Sequence, residues 1–234
     1  MSSRALKRQV LDLIAGPDLA AIRAELARLA AKDVINILFS AICREDERTR
    51  WHAVTCMGDA VARLAGEDLE AARIVMRRLL WSLNDESGGI GWGAPETMAE
   101  ILCRHQGLGE EYVHMLISYM REDGEELCQD GNFLEHPLLQ RGLLWGMARL
   151  SRCRPDLLQA RGAEADIAQY LSADDAATRG LAIVAMGALG LAACRPQLEL
   201  LRADTAPLTL YEEGVFLPTA VGELARSALE ALPR

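Results

Sequence analysis

A helical pattern recurs along this chain of 234 residues at intervals of 38 to 46 residues. Its two clearest copies occupy residues 50–58 and 179–187. In each copy an Arg is followed by Ala three positions later, by Val or Ile at the next position, and by Met-Gly at the end. Weaker copies begin at Glu96, Arg141 and Val221. A fixed period of about 20 to 50 residues indicates an array of repeated supersecondary units.

The spacing of apolar residues identifies these units as helix pairs. Val34, Ile37, Leu38 and Ala41 follow the i, i+3, i+4, i+7 spacing of one helix face. Pairs of helices with a period near 40 residues are typical of HEAT and armadillo units. We therefore predict an all-α, HEAT-like α-solenoid of about five to six helix pairs with a small β-hairpin before the last helix.

The predicted organisation is a single repeat domain over residues 1–234. Cap helices occupy 1–32, repeats 33–202, and the hairpin with the C-terminal helix 203–234. Predicted helices cover 4–15, 18–31, both sides of the polar turn 44–48, 67–83, 95–105, 108–121, 135–152, 163–171, 174–190, 191–202 and 218–232.

Charge and composition exclude several classes of partner. The net charge of −9 opposes the counterion release that drives nucleic-acid binding, so we expect no nucleic-acid partner. No stretch is apolar enough for a membrane span, and we expect no membrane partner. The charged residues of 1–14 leave no room for an uncharged signal-peptide segment. Six cysteines without a C-x-x-C pair favour reduced thiols and a cytoplasmic protein.

Three loops are longer than a helix pair needs. The first, 84–94, contains four glycines and Trp92, and it is flanked by acidic side chains. It is either a binding site or a rigid structural connection, with Asp85, Glu86, Glu96 and Glu100 as acidic contacts in the first case. The second, 122–135, does not fit the EF-hand spacing and is predicted to be a solvated acidic loop. The third, 207–218, predicts a hairpin that covers the C-terminal end of the apolar stack, or alternatively offers an edge to a partner.

Catalytic and metal-binding motifs are missing from the sequence. We find no G-x-S-x-G, H-E-x-x-H or paired C-x-x-C motif, and we assign no catalytic residue, metal or cofactor. Cys103 and His105 would point to different sides of a helix, so they do not form a metal site with His114. His52 is predicted to lie at the surface and His136 to cap a helix. An enzyme is therefore the less favoured reading.

The second helices of stacked pairs place equivalent side chains in a row along the inner curve. Arg50, Glu96, Arg141 and Arg179 occupy such positions, with tryptophans nearby, and Arg and Trp are enriched in binding hot spots. The candidate binding residues are Arg50, Trp51, Asp85, Glu86, Trp92, Glu96, Glu100, Arg141, Trp145 and Arg179. In the alternative interpretation each repeat arginine caps, or forms a salt bridge with, an acidic residue in the preceding turn, with Asp46 or Asp175 as the acceptor.

The R-x-x-A-[VI]-x-x-M-G helices and the closing segment 221–232 resemble HEAT-like repeats of the phycobilisome-lyase type, over about residues 33–232. The segment NDESGGIGWGAPE at 84–96 resembles one shared by bacterial HEAT-repeat proteins without an assigned activity. Bilin lyases of this kind attach chromophores, but no bilin pocket is identified here. HEAT-like DNA glycosylases have a basic concave surface, which the acidity of this chain does not match.

Two functions follow as hypotheses. The first is a non-enzymatic interaction or scaffold protein that presents a concave helical surface to a protein partner. The alternative is an accessory protein, lyase-like, that binds a small molecule or cofactor at the 84–96 loop.

Overall fold

The computed structural model describes residues 2–84, 91–122 and 132–233. Thirteen α-helices and one two-stranded sheet lie in this part of the chain. The helices are α1 (Ser3–Ile14), α2 (Leu19–Ala27), α3 (Ala31–Phe39), α4 (Glu47–Glu67), α5 (Leu69–Leu83), α6 (Ala94–Arg104), α7 (Gln106–Ser118), α8 (Pro137–Cys153), α9 (Pro155–Gln159), α10 (Glu164–Ala168), α11 (Ala176–Ala188), α12 (Arg195–Leu201) and α13 (Val221–Ala231). Strands β1 (Pro207–Glu212) and β2 (Val215–Ala220) form a hairpin directly before α13. The predicted all-α class with a hairpin before the last helix is confirmed.

Helix starts are set by short polar side chains in the turns. The side chain of Asp18 accepts a hydrogen bond from the Ala21 N–H (3.0 Å), which confirms the predicted cap of α2. The same cap, on the N–H three residues later, is made by Asp46 in α4, Asp68 in α5 and Asp175 in α11. These aspartates fix where the apolar face of each helix begins.

One helix was not anticipated from the sequence. Residues 155–159 form α9, which has five residues and is too short to show a helical period. The predicted helix 163–171 is divided into α10 and a 3₁₀ turn over Gln169–Ser172. Short helices of this kind are set by local turns rather than by an amphipathic pattern.

The chain forms two compact units. The first contains Met1–Leu108 with Tyr211–Val215, and the second contains Gly109–Leu210 with Phe216–Arg234. In the first unit, α4 is the central helix and packs against α3, α5 and α6. In the second, α11 packs against α8 and α13. The prediction of a single domain stays a prediction.

The glycine of the Met-Gly motif has the same role in both units. A Cβ atom at Gly58 would lie 2.9 Å from Arg104 Nε and 2.9 Å from Glu100 Cβ, so this position lets α4 approach α6. A Cβ at Gly187 would lie 2.8 Å from Ala228 Cβ on α13. Contacts below about 3 Å leave no room for a side chain, so the glycine of the motif allows two helices to pack closely in each unit.

The tip of the hairpin belongs to the first unit and lies against α2 and α4. Glu213 is 3.6 Å from the Arg23 guanidinium. A Cβ at Gly214 would lie 3.1 Å from Leu19 Cβ at the start of α2. Outside the tip, Leu208 of β1 lies next to Gly180 of α11. The expectation that the hairpin covers the C-terminal end of the stack stays a prediction.

Candidate functional site

Two helices of the first unit carry polar stripes on faces that pack together. On α4, Trp51, Thr55 and Asp59 are spaced four residues apart and so lie on one face. On α6, Glu96, Glu100 and Arg104 have the same spacing. The contact of Gly58 with α6 brings the two faces together. We call these six residues the α4–α6 site.

Trp51 is held in place by the hairpin tip. Its ring stacks on Tyr211 with centroids 4.5 Å apart and an interplanar angle of 13°. The Thr55 hydroxyl lies 3.1 Å from the Tyr211 hydroxyl and donates to the Trp51 carbonyl oxygen at 3.1 Å. Burial raises the pKa of Tyr211 to about 12, so its hydroxyl stays protonated. Trp51 remains half-buried and presents a fixed aromatic surface.

Glu96 is a buried carboxyl group at the start of α6. It is 9% exposed, and its Oε2 atom has no hydrogen-bond partner among the residues that the structure describes. Burial raises the pKa of Glu96 to about 7, while its own backbone N–H and the charge of Arg50 oppose the shift. The site therefore gains or loses a negative charge near neutral pH.

Arg50 and Glu96 are the first two members of the predicted row of repeat positions. The Arg50 side chain is largely buried, and its Nη2 lies 3.3 Å from Glu47 Oε1. Glu47 is exposed to solvent, so this ion pair contributes little stability. The structure thus brings Arg50, Trp51, Glu96 and Glu100 together in one unit.

A chain of ion pairs continues from Glu100 along the site. Glu100 is 2% exposed, and its Oε2 lies 2.8 Å from Arg104 Nη2. Arg104 Nη1 lies 3.0 Å from Asp59 Oδ1. Asp59 in turn accepts two hydrogen bonds from Arg23 of α2, at 2.7 and 3.0 Å. Each charge in this chain of ion pairs is next to an opposite charge, which offsets part of the cost of removing it from water.

The first predicted loop is only partly described. Asp85 and Glu86 lie outside the described residues. A structural Trp92 should be buried, and a binding Trp92 should be largely exposed. Trp92 is half-buried, which lies between these two expectations. Gly93 has φ = 76°, and a Cβ there would overlap the carbonyl oxygen of Ile42, so only glycine fits directly before α6.

The other predicted row residues lie in the second unit. Arg141 pairs with Asp175 (2.6 Å) and Arg179 with Asp204 (2.8 Å), so each arginine is joined to an aspartate of the following repeat. Arg179 also donates to the carbonyl oxygens of residues 173 and 174. Trp145 is 7% exposed and offers little surface to a partner. Arg141 and Arg179 therefore form ion pairs, but their acceptors lie in the following repeat and not in the preceding turn that the alternative interpretation named.

The prediction for His52 is wrong, and the prediction for His136 is confirmed. His52 is fully buried, and its Nδ1 donates to the carbonyl oxygen of Ile14 at 3.0 Å, so the predicted surface position is wrong. Helix α4 is buried on several faces. The charged residues next to His52 in the sequence suggested an exposed position instead. Burial lowers the pKa of His52. His136 accepts from the Leu138 N–H at 3.2 Å and is the predicted helix cap.

The cysteines are in two different states. Cys43, Cys56 and Cys194 are free, whereas Cys103 and Cys153 are disulfide-bonded, so the expectation of reduced thiols is wrong at these two positions.

Within residues 2–84, 91–122 and 132–233, no group of three His, Cys, Asp or Glu side chains is arranged to hold a metal ion. Across the same residues, no helix combines the length and apolarity needed to cross a bilayer.

Sequence reasoning missed Arg23, Thr55, Asp59, Arg104 and Tyr211. A signal existed for one of these, Arg104, which forms a polar stripe with Glu96 and Glu100 on a helix whose other residues are mostly apolar. No sequence pattern links Tyr211 to Trp51, because 160 residues separate them.

Comparison with known proteins identifies the fold. No family model and no curated protein matches the chain. An engineered protein of known structure, 12% identical, aligns with a TM-score of 0.58 over 96% of this chain and 89% of its own. A designed armadillo repeat protein solved with the peptide (KR)4, 17% identical, has a TM-score of 0.50 over 96% and 98%. A HEAT-like repeat protein from Thermococcus onnurineus NA1, 14% identical, has a TM-score of 0.45 over 100% and 82%.

These similarities define an α-helical repeat protein. The all-α repeat fold predicted from the sequence is confirmed. The narrower resemblance to phycobilisome-lyase-type proteins, and the shared 84–96 segment, stay predictions.

Proposed function

We propose that this protein is a non-enzymatic interaction protein whose α4–α6 site binds a basic segment of a protein partner. The observation that carries the proposal is the half-buried Trp51, fixed flat against Tyr211 beside buried Glu96 and Glu100. A rigid, partly exposed tryptophan is the residue type most often found at binding hot spots.

A basic partner fits the chemistry of this surface. An aromatic face attracts the ammonium of Lys and the guanidinium of Arg by about 0.5 to 2 kcal/mol. Ionised Glu96 adds a negative charge close by, and the whole chain carries −9. Oppositely charged surfaces also speed association. The related designed armadillo protein was solved with a peptide of alternating Lys and Arg, which supports the same choice.

The test measures binding of fluorescently labelled (KR)4 by anisotropy to the full chain and to two tryptophan variants. Trp51→Ala should weaken binding by about tenfold or more, because hot-spot truncations typically cost over 1 to 2 kcal/mol. Trp81→Ala is the matched control, since Trp81 is 71% exposed on α5 and lies outside the site. It should change the affinity by less than about twofold.

Melting curves must first show that Trp51→Ala is folded at the assay temperature. Equal loss of affinity in both variants would reject the site, and absence of (KR)4 binding by the unmodified chain would reject a basic partner.

The alternative function, binding of a small molecule or cofactor at residues 84–96, stays a prediction. Residues 85–90 of that segment lie outside the described residues, and Trp92 is half-buried. A cytoplasmic location likewise stays a prediction.

A further inference from the structure

Helix α5 of the first unit presents apolar side chains to solvent. Ile74 is 49% exposed and Trp81 is 71% exposed. With Arg78 between them they are spaced at i, i+4 and i+7, so the three side chains lie on one face of the helix. The opposite face of α5 is buried and fixes the helix in place. Trp and Arg are enriched in binding hot spots, so the exposed face is a candidate interaction surface.

Arg78 is held at a fixed position on this face by two uncharged side chains of α3. Its Cζ atom lies 3.9 Å from the centre of the Phe39 ring, and its Nη1 donates to Asn36 Oδ1 at 3.0 Å. Within the part of the chain that the structure describes, Arg78 forms no ion pair. Arg78 is exposed and has further N–H donors, so a carboxylate from outside the chain can reach it.

The opposite charge lies on the same face of α5. Glu70 precedes Ile74 by four residues and Arg78 follows it by four, so the two charges stand at equal distances from Ile74. Glu70 is exposed; its Oε1 accepts from Arg77 at 2.6 Å, whereas its Oε2 lies 3.6 Å from Arg73, beyond hydrogen-bond distance. A carboxylate oxygen accepts more than one hydrogen bond, so Glu70 can take a further donor.

This arrangement of charges is complementary to itself. When two copies of α5 run antiparallel about a two-fold axis at Ile74, residue 70 of each copy faces residue 78 of the other. Each Glu70 then meets an Arg78, and the two Ile74 side chains meet at the axis. Trp81 extends toward the start of the second α5, where Leu69 is 37% exposed. In a parallel pairing, by contrast, like charges would face each other.

We propose that two copies of this chain associate through antiparallel α5 helices, with Glu70 of each copy against Arg78 of the other and with Ile74 and Trp81 covered by the contact. The proposal goes beyond binding at the α4–α6 site and shares no residue with it. One helix from each copy buries less area than a standard interface of about 1,600 Å². We therefore expect a weak dimer, with a Kd of about 10 to 100 µM.

Sedimentation velocity of the full chain from about 1 to about 300 µM tests the proposal, at an ionic strength of about 0.15 M that screens the repulsion between two chains of charge −9. All variants carry Cys43→Ser, because exposed Cys43 could cross-link two copies. Trp81→Ala should weaken the dimer about a hundredfold, since two-fold symmetry removes the side chain twice at about tenfold each.

Leu200→Ala is the matched control, because Leu200 is 83% exposed on α12 of the second unit. It should change the Kd by less than about twofold. A chain that is monomeric at every concentration would overturn the proposal. So would a dimer that Trp81→Ala leaves intact or that both substitutions weaken equally.

Exchange of the two charges tests the antiparallel pairing. Glu70→Arg alone places Arg against Arg, and Arg78→Glu alone places Glu against Glu, so each variant by itself should be monomeric over this range. An equimolar mixture of the two variants joins opposite charges at both contacts and should form a dimer again. No dimer in the mixture, or dimers of either variant alone as tight as the parent's, would contradict the pairing. Self-association and (KR)4 binding are separate measurements, so failure of one proposal leaves the other standing.

Discussion

Glu96 is a single residue whose burial lowers stability when it is ionised. Its carboxyl is buried, and one of its oxygens has no hydrogen-bond partner among the described residues. A pKa raised from 4.5 to about 7 corresponds to roughly 3 kcal/mol of penalty on the ionised form. Such uncompensated groups are concentrated at binding and catalytic sites.

The first prediction concerns the stability of Glu96→Gln. Because the folded-state pKa is raised, the folded protein binds more protons than the unfolded chain, and stability from Glu96 is lost as pH rises from about 4.5 through about 7. The variant should therefore be more stable than the unmodified protein by about 2 to 3 kcal/mol near pH 8, and the gain should vanish near pH 4.5. Urea unfolding at several pH values measures both.

Comparison of the variant with its parent at each pH cancels the contribution of His52, whose lowered pKa acts in the opposite direction. Exposed Glu67 on α4, changed to Gln, is the control and should show no such pH dependence. A gain for Glu96→Gln that is the same at all pH values would contradict the assigned pKa.

Among the elements, the close packing of α4 on α6 positions the candidate site. Gly58 is the contact that permits it, and its counterpart Gly187 acts in the same way in the second unit. The glycine of the repeat motif therefore allows neighbouring helices to pack closely. This close packing brings the polar side chains of α4 and α6 together.

The second prediction compares two glycines of α4. Gly58→Ala places a Cβ within 2.9 Å of atoms on α6, and overpacking of this kind should destabilise the protein by about 1 to 2 kcal/mol after the helix propensity gain. Gly66→Ala meets nothing within 4 Å and should stabilise it by up to about 1 kcal/mol. Chemical denaturation measures both changes. Equal effects of the two substitutions would show that α4 does not approach α6 at Gly58.

The third prediction concerns the arginine–aspartate links between repeats of the second unit. Double-mutant cycles should give a coupling of about 1 to 2 kcal/mol for Arg179 with Asp204, because both side chains are mostly buried. Arg141 with Asp175, which are more exposed, should give about 0.5 kcal/mol. The reverse order, measured by denaturation of the single and double variants, would contradict the observed burial.

The periodic spacing of apolar residues predicted the helices. It did not predict contacts between residues that are far apart in the sequence. The helices, the hairpin and the cap at Asp18 follow from local patterns and turn residues. The site was predicted in part: Arg50, Trp51, Glu96 and Glu100 lie together, but Tyr211 and Arg23 reach them from distant segments. The burial of His52 and Trp145 depends on neighbouring helices, which a single helix pattern does not reveal.

For the whole molecule, the net charge agrees with the basic partner that we propose. The chain carries a net charge of −9, which attracts basic segments before contact. Steering by the overall charge is screened by salt, with a Debye length of about 8 Å at physiological ionic strength. Contacts at the α4–α6 site are less screened, so a basic partner should keep site-dependent binding in salt.

The most direct test of binding at the α4–α6 site is the affinity for (KR)4 as a function of pH, measured on the unmodified protein and on Glu96→Gln. Ionisation of Glu96 adds a negative charge, so the affinity of the unmodified protein should rise about threefold to tenfold between roughly pH 6 and pH 8. In Glu96→Gln the affinity should be lower and nearly independent of pH over this range, while Glu67→Gln should follow the unmodified protein. The same pH profile in Glu96→Gln and in the unmodified protein would contradict the proposed site.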